Sequence, residues 1–171
     1  RRGSLEGYTR SDGLWDIEAH MGDTKDQDYP LSSGLRKPGE AVHDMWVRIT
    51  VDGKMNVLAA ATSMDAMPYP GHCNHVPPDY SKIVGLNLFQ GFLKAVKEMF
   101  GGVKGCSHLS ELLMFMPTAA LQSFASEVPD NNDSAHKPYQ LDRCHALESH
   151  TETVRLYYPR WHRKKAGEKK V

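Results

Sequence analysis

Cysteine and histidine recur side by side in this chain. Cys106 lies in Gly105-Cys106-Ser107-His108, Cys73 in His72-Cys73-Asn74-His75, and Cys144 in Asp142-Arg143-Cys144-His145. A thiolate is both a nucleophile and a metal ligand, and imidazole exchanges a proton near neutral pH. Ser107 is a good helix N-cap residue, which places Cys106 just ahead of a helix. There the positive end of the helix dipole and free backbone N–H groups would stabilise a thiolate. His108 then falls in the first helical turn, placed to act as a base or a ligand. A small buried cysteine beneath a glycine-rich turn is the plainer reading of the same residues.

The three cysteines, each within two residues of a histidine, are donors that zinc or iron would accept. Cys73, Cys106 and Cys144 are therefore the candidate metal ligands. No pair has the C-x-x-C spacing of a zinc finger, and spacing does not show whether the three segments meet. The candidate acid–base residues are His43, Asp44, His108 and His145. Successive strand residues face opposite ways, so Asp44 need not be the partner of His43. Trp46, Tyr157, Tyr158 and Trp161 could line an aromatic pocket, or serve as core.

The elements that must hold these residues are legible in part. Trp15, Ile17, Ala19 and Met21 alternate with Asp16, Glu18 and His20, the pattern of a half-buried strand. Asp12-Gly13 joins it to an extended run before it. Residues 22–40 read as a polar loop. Val47, Ile49 and Val51 share one face of a third strand, Asp52-Gly53 marks a hairpin, and Met55 to Ala61 forms its partner. Prolines 68, 70, 77 and 78 make 66–79 irregular, with Cys73 inside it. From about Asp79 to Phe100 the apolar spacing becomes helical, with Gly85 and Gly91 allowing two shorter helices. A further helix starts near Ser107 and carries Leu109, Leu112, Leu113, Met116 and Ala120 on one stripe, bent at Pro117. Val154 to Tyr158 reads as a short last strand. Strands followed by helices predict an α+β fold, with an antiparallel sheet of about four strands packed by two or three helices.

Composition narrows the function classes. The 171 residues carry 21 basic and 21 acidic side chains, 40% apolar and 25% charged residues. That suits one globular domain, expected over 1–159, with a basic tail over 160–171. The tail holds six basic residues and Glu168, and taking these from 21 and 21 leaves 15 basic and 20 acidic residues in the body. An acidic body offers no basic face for nucleic acid. No apolar run is long enough for a membrane helix and no signal-peptide pattern is visible. The odd cysteine count argues against a disulfide framework and fits a reducing cytoplasm. P-loop, G-x-G-x-x-G, G-x-S-x-G and H-E-x-x-H motifs are absent.

Several segments together resemble a bacterial family known as a domain of unknown function. They include Gly13-Leu14-Trp15-Asp16-Ile17-Glu18, Asp23-Thr24-Lys25, His43-Asp44-Met45-Trp46, Gly105-Cys106-Ser107-His108-Leu109 and Leu141-Asp142-Arg143-Cys144-His145-Ala146. The resemblance implies a single-domain bacterial protein. The order of elements from Val47 to Phe124 is also similar to iron–sulfur scaffold proteins of the NifU N-terminal type, although Cys73 lacks the flanking glycines and the middle scaffold cysteine has no counterpart. Two functions follow as expectations. The first is a lyase or hydrolase acting on an aromatic or acyl metabolite by His/Cys acid–base chemistry, with or without zinc or iron. The second is a metal or iron–sulfur carrier built on the three cysteines. The expected partner is a small-molecule substrate, with neither nucleic acid nor membrane, and a homodimer is possible.

Overall fold

A computed structural model of the chain describes residues 1–127, 135–138 and 140–164. The fold is α+β. Four strands, β1 (Arg2–Thr9), β2 (Trp15–Thr24), β5 (Ala41–Val51) and β6 (Val57–Ala66), form an antiparallel sheet in the order β1-β2-β5-β6. Between β2 and β5, where the sequence suggests only loop, β3 (Tyr29–Leu31) and β4 (Gly34–Arg36) make a separate small hairpin. The helices are α1 (Phe92–Phe100), α2 (Ser107–Phe124) and α3 (Glu152–Tyr157). By internal contacts the chain divides into two compact units, Arg1–Ser126 and Glu127–Val171.

In the first unit, period-two alternation on β2 and β5 puts the core on one face of the sheet. Trp15, Ile17, Ala19 and Met21 of β2 stand opposite Val51, Ile49, Val47 and Met45 of β5, and all eight are buried. Leu109, Leu112, Leu113, Met116 and Ala120 of α2 and Phe92, Val96 and Phe100 of α1 join the same core. Each large apolar side chain so buried contributes roughly 1.5–3 kcal/mol. Helix α2 runs on through Pro117 to Phe124. The missing proline N–H costs one helical hydrogen bond, and the apolar stripe on both sides keeps the helix seated.

The helical spacing after Asp79 is only partly a helix. Pro77–Ile83 is a 3-10 turn, and the chain then runs alongside the start of β6. Gly85 donates to the Val57 carbonyl at 2.8 Å, Val57 donates to the Leu86 carbonyl at 2.8 Å, and Leu88 donates to the Met55 carbonyl at 2.9 Å. Those bonds take the groups a helix would have used. Gly91, with φ +73°, makes the left-handed turn that starts α1 at Phe92.

The second unit corrects one expectation. Val154 to Tyr158 is not a strand but mostly α3, whose N-cap Thr151 accepts a hydrogen bond from the Val154 N–H. Glu152 in its first turn pairs with Arg155 one turn on. Asp142 adopts φ +62° and accepts from the Ser149 N–H (2.6 Å) and hydroxyl (2.7 Å). Lys137 and these two donors hold its carboxyl well below the usual carboxylate range. Arg160 and Trp161 lie in a 3-10 turn, and residues 165–171 of the basic tail lie outside the described residues.

Candidate functional site

The alternation that buries Trp15, Ile17, Ala19 and Met21 continues one step further, to Asp23. In the β2–β5 register Asp23 stands directly opposite His43, immediately before a bulge at Asp23/Thr24. Directly paired residues on antiparallel strands bring their side chains together. His43 Nδ1 lies 3.1 Å from Asp23 Oδ2, and the two side chains are 13% and 16% exposed. An Nδ1–H donated to the carboxylate leaves Nε2 as the free acceptor of His43. Lys25 Nζ binds the other Asp23 oxygen at 2.5 Å. Burial raises the Asp23 carboxyl, but Lys25 and His43 outweigh it, and the group titrates below its ordinary value.

Helix α2 supplies the facing half. Cys106 is its N-cap residue, and the first helical bond runs from the Ser110 N–H to the Cys106 carbonyl at 2.9 Å. His108 lies in the first turn, with Nδ1 3.9 Å from Cys106 Sγ. The His108 ring packs on the His43 ring, centroids 4.2 Å apart. Burial and then the neighbouring His43 lower the His108 pKa, so the neutral, proton-accepting ring prevails near pH 7.

Tyr80 fixes the turn that carries Cys106. Its buried hydroxyl donates to the Cys106 carbonyl and accepts from the Cys106 N–H, both at 2.9 Å, and meets Ser110 Oγ at 2.9 Å. Burial pushes the phenol up, which keeps it a donor. The ring stacks on Phe100 at 4.2 Å. A Cβ on Gly105 would lie 2.7 Å from Phe100 Cβ and 2.9 Å from the Tyr80 hydroxyl oxygen, so only glycine lets the chain pass between them and Cys106.

His43, Cys106 and His108 open on one cavity of about 280 Å³. Cys106, Ser107, His108 and His43 line it together with Met45, Met64, Pro68, Tyr69, Cys73 and Val76. Of the residues singled out in the sequence, His43, His108, Cys73 and Cys106 thus share one cavity. Asp44 turns to the opposite face of the sheet, where its Oδ1 meets His20 Nε2 at 2.8 Å and the His20 ring stacks on Trp46 at 4.0 Å. Cys144 and His145 are exposed residues of the second unit, and Tyr157, Tyr158 and Trp161 belong to that unit as well. Among the described residues no three His, Cys, Asp or Glu side chains converge as a metal-binding group, and no helix is long and apolar enough to cross a membrane.

Asp23 was missed as a site residue. It shares the parity of Met21 on its strand, as His43 shares that of Met45, so both fall on the core-facing side.

The first unit nearly coincides with a known family. The model of the protein family of unknown function DUF2889 matches residues 1–122. The chain belongs to this family. Every residue of the Asp23–His43–His108–Cys106 cluster lies within the DUF2889 match. No curated protein and no solved structure matches the chain, so the likeness to NifU-type scaffolds has no support.

Proposed function

We propose that the chain is an enzyme, a hydrolase that uses Cys106 as a nucleophile on a small acyl compound. The carrying observation is the Cys106–His108 pair in a cavity that also holds an Asp23-oriented His43. A nucleophile beside a base, with an imidazole fixed by a carboxylate, is the arrangement covalent acyl transfer requires. The thiol–imidazole separation of 3.9 Å is long, as is common before substrate binds.

His108 takes the thiol proton as Cys106 Sγ forms a bond to the substrate carbonyl carbon. The same imidazolium returns that proton to the departing alkoxide or thiolate, leaving an acyl-cysteine. His43 Nε2 then removes a proton from water as the water oxygen attacks the acyl carbon, the Cys106 thiolate leaves, and the proton on His43 passes back to the thiolate to restore the starting enzyme. The balance is acyl compound plus water giving acid plus alcohol or thiol. Carbonyl oxygen charge develops near the Ser107 and His108 N–H groups of the first turn, since Tyr80 already engages the Cys106 N–H.

Incubation with a panel of small aryl esters and thioesters, followed by mass spectrometry of the intact protein and its peptides, tests the proposal. An acyl adduct on Cys106 that is absent from Cys106→Ser is expected. Turnover retained by Cys106→Ser would favour instead a thiol-independent lyase or hydrolase. Stoichiometric zinc or iron, lost in both Cys73→Ser and Cys106→Ser, would favour the metal-carrier reading.

A further inference from the structure

We infer that the acyl group this cavity takes is uncharged and apolar, and that the apolar part of the lining selects it on those grounds. The inference rests on Cys106 as the reactive thiol and adds the substrate class. No Lys, Arg, Asp or Glu side chain lines the cavity. The charged groups near it are engaged elsewhere: Asp23 is held by His43 and Lys25, Lys25 Nζ also sits 5.4 Å from the Tyr29 ring centroid, and Arg1, which acts on His108, is paired with Glu111. A carboxylate or phosphate drawn into this space would give up water and meet no lysine or arginine side chain, only imidazoles already committed to Asp23 and to the Cys106 thiol, which is costly.

Much of the lining is suited to apolar atoms. Met45 is buried, Met64 and Val76 pack against the core cluster, and Pro68 and Tyr69 form the loop side. Methionine side chains are flexible and polarisable, so such a wall adapts to an apolar group of irregular outline. The volume of about 280 Å³ corresponds to some nine waters at roughly 30 Å³ each, enough for one ring or a short chain beside the reacting carbonyl.

One effect opposes this selection and makes the direction of a test decisive. The N-terminal end of α2 attracts anions, at a few-fold in rate or binding. Iodoacetamide and iodoacetate differ in charge and little in size. The rate of each at Cys106 is measured by peptide mass spectrometry on the full chain, and the ratio is compared with that of N-acetylcysteine under the same conditions. An amide-to-carboxylate ratio roughly tenfold above that of the free thiol is expected. Phenacyl chloride, similarly referenced, gains on chloroacetone. Tyr69→Lys, at an exposed loop position whose backbone bonds stay intact, moves the charge ratio towards iodoacetate. A ratio at or below that of the free thiol overturns the inference while leaving Cys106 catalysis standing. Alkylation of Cys73 or Cys144 in preference to Cys106 overturns the catalytic reading beneath it.

Discussion

Strands β2 and β5 are joined by two aspartate–histidine pairs, one on each face of the sheet. Asp23 of β2 meets His43 of β5 on the core side, and His20 of β2 meets Asp44 of β5 on the other. The residue types and nearly the sequence positions are the same. The inner pair is 13% and 16% exposed and opens on a cavity beside a thiol, whereas the outer pair is 28% and 37% exposed and packs on Trp46. Surroundings, rather than residue identity, separate the proposed catalytic arrangement from a hydrogen-bonded pair on the other face of the sheet.

Five expected outcomes bear on that contrast. The largest concerns the nucleophile: Cys106→Ser lowers acyl transfer on the order of a thousandfold or more, measured with the best ester of the panel. Next, Asp23→Asn lowers the same rate by roughly a hundredfold or more, because His43 loses the partner that sets its tautomer and orientation. Asp44→Asn, the matching change on the outer face, alters that rate by less than about twofold and stability by about 0–1 kcal/mol, read by urea unfolding. Equal losses from the two Asn variants would erase the distinction between the faces.

An effect smaller than that of Asp23→Asn belongs to the support beneath Cys106. Tyr80→Phe keeps the stack on Phe100 and leaves the Cys106 N–H and carbonyl without the hydroxyl. It slows Cys106 acylation about tenfold through misplacement and destabilises by about 1–3 kcal/mol. Repetition of the rate assay far below the melting temperature separates the two.

The smallest effect is a pH dependence. The His108 pKa is lowered in the folded state, so as pH falls below about 6.5 the unfolded chain takes up that proton first. The stability contribution is complete above that value and is lost as pH falls towards the folded value. The melting temperature of the wild type therefore drops more steeply on acidification through this window than that of His108→Gln, measured by circular dichroism. The Asp23 carboxyl, also lowered, acts with the same sign further down: its contribution is present above its unfolded value and is lost as pH falls through the folded one.

Much of the scaffold was legible. The strict alternation in Trp15–Met21 and Val47–Val51 announced the inner face, and the stripe from Leu109 to Ala120 announced α2. Cys106 and His108 were recognisable because two residues at a helix start lie close whatever the rest of the chain does. The Asp23–His43 pair was not, because cross-strand partners depend on register, and the candidate set held the neighbouring Asp44 instead. Helical spacing misled between Ile83 and Leu88, where backbone bonds to the start of β6 decide the conformation. The β3–β4 hairpin was missed because three-residue strands carry too few alternations to register.

The β2–β5 register also guards assembly of the sheet. Sliding the strands by one residue in one direction sets Asp23 against Asp44, carboxylate facing carboxylate. Either slip turns the apolar sides of the two strands away from each other. A chain that pairs these strands wrongly while folding thus loses shared apolar contact, and in one direction meets repulsion as well, which favours release and another attempt.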